Sequence, residues 1–199
     1  FIGIEQSLLY CAWGQYRLNK ANNDPHIQGY ADGVFWPRNS LSLQKKYLKE
    51  KDNSTPRLDH YRVTAEFERQ RASFMIWPER QDNWRNGGKP AQKAFTELAK
   101  IISQFQPVTM LVNEDQYLNA KEKLAGIARV VEMSNNDAWA KDVLPIYINC
   151  GHNIRAVNFS FNAWGGLVDG LYFPWDFDDQ LAGKVADLEK IDYYSEKTV

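Results

Sequence analysis

The chain has 199 residues, with 24 Lys and Arg against 25 Asp and Glu, a net charge of −1 at neutral pH. So even a balance leaves no broad basic face for nucleic acid or an anionic membrane, and no apolar run reaches the length of a bilayer span. Two cysteines, Cys11 and Cys150, give no disulfide framework, so a reducing, cytoplasmic location is expected.

In chain order, "SLLYCAW" near the start is too short to span a bilayer and has no basic region before it, so it does not read as a secretory leader. Residues 1–54 have mixed polarity, scattered aromatics and no sustained period. Within them "LSLQKKYLKEK" (Leu41–Lys51) has the makings of a short basic helix with a solvated face. From Thr55 the pattern becomes regular. "SFMIWP" (Ser73–Pro78) predicts a buried strand closed by proline. Lys89–Phe105 places Ala91, Ala94, Phe95, Leu98, Ile101 and Ile102 at helical spacing, with Pro90 near the start, where a missing N–H is harmless. Val108–Val112 predicts a second strand, Asp115–Ala125 a more polar helix, and Ala128–Met133 a third strand. After Pro145, "IYIN" and "IRAVNFSF" flank "CGHN" as the arms of a hairpin. Asp178–Ile191 predicts the last helix, with Asp178 as its cap. Strands alternating with helices in this way argue for an α/β layer architecture.

Chemistry concentrates in "NNDAWAKDVLP" (Asn135–Pro145), where Asp137 and Asp142 stand on either side of Trp139. Neither strand nor helix geometry puts all three on one face, so they converge only if the backbone turns after Trp139. Two readings stand. A carboxylate beside an indole can hold a guanidinium on an alkyl stem, the acid taking parallel N–H bonds and the ring covering the methylenes. Alternatively Trp139 lies in the core, Asp137 caps a turn and Asp142 pairs with a lysine. The chain also carries 7 Trp, 10 Tyr and 10 Phe, several in loop-forming company such as "FNAWGG" and "LYFPWD".

"TAEFERQRASFMIWPERQDNWRNGGKPAQKAF", then "VVEMSNNDAWAKD", then "RAVNFSFNAWGGLVDGLYFPWDFDDQLAGKV" resemble, in order, the agmatine deiminases of the Porphyromonas-type peptidyl-arginine deiminase family. The resemblance runs from about Thr55 to the C-terminus, nearly three-quarters of the chain, and divides it into an unmatched extension, 1–54, of unknown role and a deiminase-like part, 55–199. It implies a partial, incomplete pentein-type α/β propeller built of ββαβ modules. It also implies hydrolysis of agmatine to N-carbamoylputrescine and ammonia, a step toward putrescine. In that chemistry a cysteine thiolate attacks the guanidinium carbon, a histidine with a carboxylate moves protons, and no metal or organic cofactor takes part. The family's Trp-x-Arg-Asp corresponds to Trp139-Ala140-Lys141-Asp142. By resemblance Asp142 would grip the guanidinium, Trp139 would pack on the methylenes, and Asp137 would be a supporting acid. This favours the pocket reading for Asp142.

The family's cysteine and histidine segments lie beyond the matched region, so no catalytic residue is expected in this chain. Cys150 and His152 in "NCGHN" are two residues of one turn and do not make a closed metal site. His26 and His60 read as surface or turn residues. Lys141 stands in place of the family's arginine, a point charge where the family has a planar fork, and "VLP" (Val143–Pro145) stands in place of Thr-Gly-Pro. The chain opens on Phe1 rather than Met and is expected to be a piece of a longer protein, inactive alone, with open strand edges prone to self-association or homo-oligomer formation. The expected ligand is a small guanidinium compound, agmatine. The alternative is a non-catalytic, degenerate pentein acting as a binding or regulatory partner. A carbohydrate-binding module is disfavoured by the Lys89–Phe105 helix.

Overall fold

The computed structural model describes residues 11–12 and 54–195, and these form two compact units. Residues 11–12 and 70–140 belong to the first, residues 54–69 and 141–195 to the second. The basic helix expected at Leu41–Lys51 and His26 lie outside the described residues. Among the described residues no helix is long and apolar enough to cross a membrane.

In the first unit the strands are β1 (Cys11–Ala12), β3 (Ala72–Ile76), β4 (Val108–Val112) and β5 (Arg129–Glu132), in that order across an open sheet. β1 runs antiparallel to β3, while β3, β4 and β5 are parallel. Parallel neighbours need crossovers, and these are α1 (Lys89–Ile102) and α2 (Tyr117–Lys123), the latter entered through a 3₁₀ turn at Glu114–Gln116. All five residues of β4 are buried, which is why "VTMLV" reads as a continuous apolar run rather than an alternating one. Met75, Trp77, Val108, Met110 and Val112 pack with Phe95 and Ala99 of α1 and with Ala120 and Leu124 of the α2 region.

The face of α1 differs in detail from the sequence expectation. Phe95 and Ala99 are buried with Leu98 and Ile102 beside them, but Ala94 and Ile101 face outward and Gln92 faces inward. A buried amide needs partners. Gln92 Nε2 donates to the Pro78 carbonyl at 3.0 Å, and Gln92 Oε1 accepts from Asn119 Nδ2 at 3.3 Å. The same carbonyl sets the path into α1. Gly88 sits at φ 75°, and a Cβ there would lie 2.3 Å from the Pro78 oxygen. Glycine is therefore required both for the left-handed turn and for the close approach.

In the second unit the sheet order is β2 (Arg62–Val63), β6 (Ile146–Cys150), β7 (Asn153–Asn158) and β8 (Tyr193–Ser195), also open. β6 runs antiparallel to both β2 and β7, and β7 and β8 are parallel. The hairpin expected around "CGHN" is present, with Cys150 opposite Asn153. The chain from 140 also forms α3 (Ala140–Val143), α4 (Gly166–Asp169), α5 (Asp176–Asp179) and α6 (Leu181–Leu188). The single last helix of the sequence reading is thus two pieces, and Asp178 does not cap. Its side chain is buried and accepts the Tyr172 hydroxyl, while Asp179 Oδ1 accepts the Phe161 N–H at 2.7 Å. Both acids serve the preceding loop rather than the helix end.

A polar cluster fastens the 54–63 segment to β7 and β8. Asp59 accepts from Tyr194 Oη at 2.6 Å and from Ser54 Oγ at 2.7 Å, and it pairs with Arg155. The Arg155 guanidinium also lies 4.6 Å from the Tyr61 ring centre and 5.3 Å from that of Tyr194. Hydrogen bonds from Tyr194, Ser54 and Arg155 hold the Asp59 carboxyl down at about 2. Desolvation, helped by the bond to Asp59, pushes the Tyr194 hydroxyl up to about 12.

Two outcomes follow for stability. Gly88→Ala should lower unfolding free energy by at least about 2 kcal/mol in a urea titration, since left-handed strain adds to a backbone collision. Because Asp59 has a depressed folded-state value, its contribution is present above about pH 4 and disappears as pH falls from about 4 to about 2. The difference in stability between the unaltered chain and Asp59→Asn should therefore shrink across that window, as followed by thermal melts. A difference independent of pH would show that the cluster does not act through the ionised acid.

Candidate functional site

In the first unit, polar side chains gather where the three parallel strands end at their carboxyl termini. This is the edge of an α/β sheet where ligand sites commonly form. Glu79 follows β3, Asn113 follows β4, and Asn135 and Asp137 follow β5. Asn113 Nδ2 donates to Glu79 Oε1 and, at 3.1 Å, to the Asn135 carbonyl, and its Oδ1 accepts the Asn135 N–H at 2.8 Å. Burial pushes the Glu79 carboxyl above the usual carboxylate range, opposed by the Asn113 bond and reinforced by the Asp115 charge.

Asp137 is 3% exposed, and its carboxylate is filled. Oδ1 accepts from Trp84 Nε1 and from the Ala138 N–H, both at 2.7 Å. Oδ2 accepts from Asn83 Nδ2 at 2.8 Å and from Trp139 Nε1 at 3.0 Å. Asp137 and Trp139 are thus brought together, and Asp137 holds two indoles rather than one. The Trp84 and Trp139 ring centres lie 5.9 Å apart at 34°, and the Trp84 and Phe95 ring centres lie 6.1 Å apart, nearly perpendicular. Trp139 remains half-buried. Trp84 and Asn83 stand in "QDNWRNGG", so the signal was in the sequence. Only the fold shows that they turn toward an acid 53 and 54 residues further on.

Asp142 belongs to the second unit and lies in α3, exposed to solvent. Crowding by protein raises its carboxyl above the usual range, opposed by a hydrogen bond from the Trp164 side chain and by the Lys141 charge. Trp164 meets Phe161 at 5.1 Å and Tyr172 at 6.1 Å, both nearly edge-on. It is presented by a strained turn in which Ala163 (φ 54°) and Trp164 (φ 65°) are both left-handed. Two successive non-glycine residues in that region cost about 1–2 kcal/mol each. Such strain persists only where surrounding contacts enforce it, and it clusters at functional positions. Trp164 was legible only as one aromatic of "FNAWGG". Cys150 and His152 flank the β6–β7 turn, His152 exposed and Cys150 half-buried. Among the described residues no three of His, Cys, Asp and Glu gather at metal-holding distance. His60 is an exposed turn residue.

The fold is mixed α/β, with a buried carboxylate joined to two indoles at the strand ends of its first unit. The profile of the Porphyromonas-type peptidyl-arginine deiminases matches residues 62–199, and the chain belongs to that family. It is 57% identical over 142 residues to a Lactococcus lactis protein provisionally named agmatine deiminase, covering 71% of this chain and 39% of that one. It is 51% identical over 139 residues to the agmatine deiminase of Pseudomonas aeruginosa, covering 69% and 38%. The solved agmatine deiminase of Enterococcus faecalis superposes with a TM-score of 0.73 at 51% identity, over 75% of this chain and 41% of that one. The chain thus spans about two-fifths of the length of these relatives, corresponding to their N-terminal part.

The arrangement around Asp137 can be checked by spectroscopy. Asp137→Asn should cost about 1.5–3 kcal/mol, the worth of a hydrogen bond to a charged group, in denaturant unfolding. It should also shift two indole N–H resonances, those of Trp84 and Trp139, in proton–nitrogen correlation spectra. Lost stability with both resonances unmoved would show that Asp137 secures the loop but not the rings.

Proposed function

We propose that this chain carries the guanidinium-recognising part of an agmatine deiminase-type hydrolase, on modules of a pentein-type α/β propeller. Supporting the fold, β6, β7, α6 and β8 follow in chain order as ββαβ with the short α4 and α5 between β7 and α6, and β7 and β8 are parallel. Supporting the substrate, relatives at 51–57% identity are named as agmatine deiminases. The observation that carries the reading is Asp142, an exposed carboxylate oriented by the indole of Trp164, which a strained turn holds.

In this reading Asp142 takes parallel N–H bonds from a planar guanidinium. Asp137 serves its own unit by holding Trp139 and Trp84, because its acceptor positions are already used by four donors. Lys141 brings one cation beside Asp142 and tempers its charge. The thiolate nucleophile and the histidine that moves protons are assigned to the part of the family fold beyond the matched stretch. The 199-residue polypeptide alone therefore binds substrate weakly and does not hydrolyse it. Residues 1–54 are treated as an extension to the deiminase-like part, and the compartment as cytoplasmic.

Calorimetric titration with agmatine tests this. Loss of a charge-assisted contact in Asp142→Asn should weaken binding by about 10–100-fold, corresponding to about 1.5–3 kcal/mol. Binding of a cation needs the ionised acid, and Asp142 titrates above the usual range. Affinity should therefore decline with falling pH at higher pH than for an ordinary aspartate, which is half-protonated near pH 4. Undiminished binding by Asp142→Asn would remove the assignment. N-carbamoylputrescine made by this polypeptide alone and blocked by a thiol reagent would reveal a nucleophile within it.

A further inference from the structure

Between α1 and the α2 region the first unit has an open groove of about 670 Å³, within the roughly 300–1,000 Å³ of small-molecule sites. None of its lining residues belongs to the acid-and-indole cluster. Lys89, Lys93 and Glu97 follow at four-residue spacing and so form a row along α1, and Lys123 at the end of α2 makes three cations against one acid. Arg62, Arg80 and Arg155 each hold a carboxylate, whereas no acid among the described residues pairs with these three lysines. Like charges one helical turn apart repel, so Lys89 and Lys93 gain from an anion placed between them.

The lining is held by a chain of amides. Gln92, 2% exposed and bonded to the Pro78 carbonyl, accepts from Asn119 Nδ2. Asn119 Nδ2 also donates to Gln116 Oε1 at 2.8 Å, and Asn119 Oδ1 accepts from Lys123 Nζ. Both walls are thereby joined to the end of β3. The Gln116 amide is oriented through its oxygen, and its two N–H donors have no partner among the described residues.

We propose that this groove binds a small phosphate ester that also carries hydroxyl groups. Lysine ammoniums are point charges that meet an anion from any side, which suits the several oxygens of a tetrahedral phosphate. A planar carboxylate is better met by an arginine fork, and no arginine lines the groove. Glu97, an acceptor only, suits a hydroxyl of the organic part and disfavours a second anion beside it, while the Gln116 N–H donors suit a phosphate or hydroxyl oxygen. Inorganic phosphate alone leaves most of the groove unfilled. No residue is shared with the guanidinium reading, so either stands or falls without the other.

Titration of the 199-residue chain with ribose 5-phosphate, followed in proton–nitrogen correlation spectra, tests the site. The side-chain amide resonances of Gln116 and Asn119 should move and saturate, and ribose without phosphate should leave them in place. Lys89→Gln combined with Lys93→Gln should weaken binding at least tenfold. Lys100→Gln, at an exposed lysine of α1 outside the groove, should leave it unchanged. The substituted lysines are exposed, so circular dichroism and the unfolding midpoint should not move in any variant. Inorganic phosphate should bind at least tenfold more weakly than the ester. Equal binding by the two would show an adventitious ion only and overturn the proposal. Amide resonances unmoved by the ester, or binding indifferent to the double substitution, would overturn it as well.

Discussion

The first unit depends on one buried carboxylate. An ionised acid withdrawn from water is costly unless donors replace its hydration, and Asp137 obtains four of them within hydrogen-bond distance. Two come from the loop after β3 and two from its own turn, so one charge ties the ends of two strands together and orients two indoles. The loop is in turn fixed at its far end by the Pro78 carbonyl, against which Gly88 presses and to which Gln92 donates. Strand end, loop and helix start therefore form one connected set of constraints, and the aromatic pair inherits its position from them.

The second unit also joins acids to aromatic rings, with the accessibility reversed. Asp178 is buried beneath Tyr172, and Asp179 holds the backbone of Phe161. Asp142 meets the Trp164 indole while still open to solvent. The contrast separates the two acids of the Asn135–Pro145 stretch by role. Asp137 has given its lone pairs to the protein, whereas Asp142 is exposed. Elevated carboxyls at Asp142 and Glu79 arise from the same cause, desolvation only partly offset by hydrogen bonds.

Sequence periodicity located the principal elements because burial imposes it. Val108–Val112 is a strand with those bounds, Ala128–Met133 contains β5, and the hairpin around "CGHN" pairs as its polarity suggested. Errors arose where tertiary partners outweighed local pattern. Ile101 is apolar yet exposed because it lies off the inner face of α1, which Phe95 and Ala99 fill. Gln92 is polar yet buried because a strand-end carbonyl and Asn119 complete its bonds. Asp178 reads as a helix cap, but Tyr172, six residues earlier, claims its carboxylate.

By itself the sequence determined the alternation of strands and helices, the family to which residues 62–199 belong, and the acid-and-indole stretch at the end of β5. Those features are written in spacing and residue type, which local geometry and burial fix directly. Only the tertiary structure decided which acid is consumed and which is open. It alone brought Trp84 and Asn83 onto Asp137 and aimed Trp164 at Asp142. Each of these depends on hydrogen bonds or ring contacts between residues distant along the chain, or on left-handed backbone that neighbouring contacts enforce, and no local periodicity encodes either.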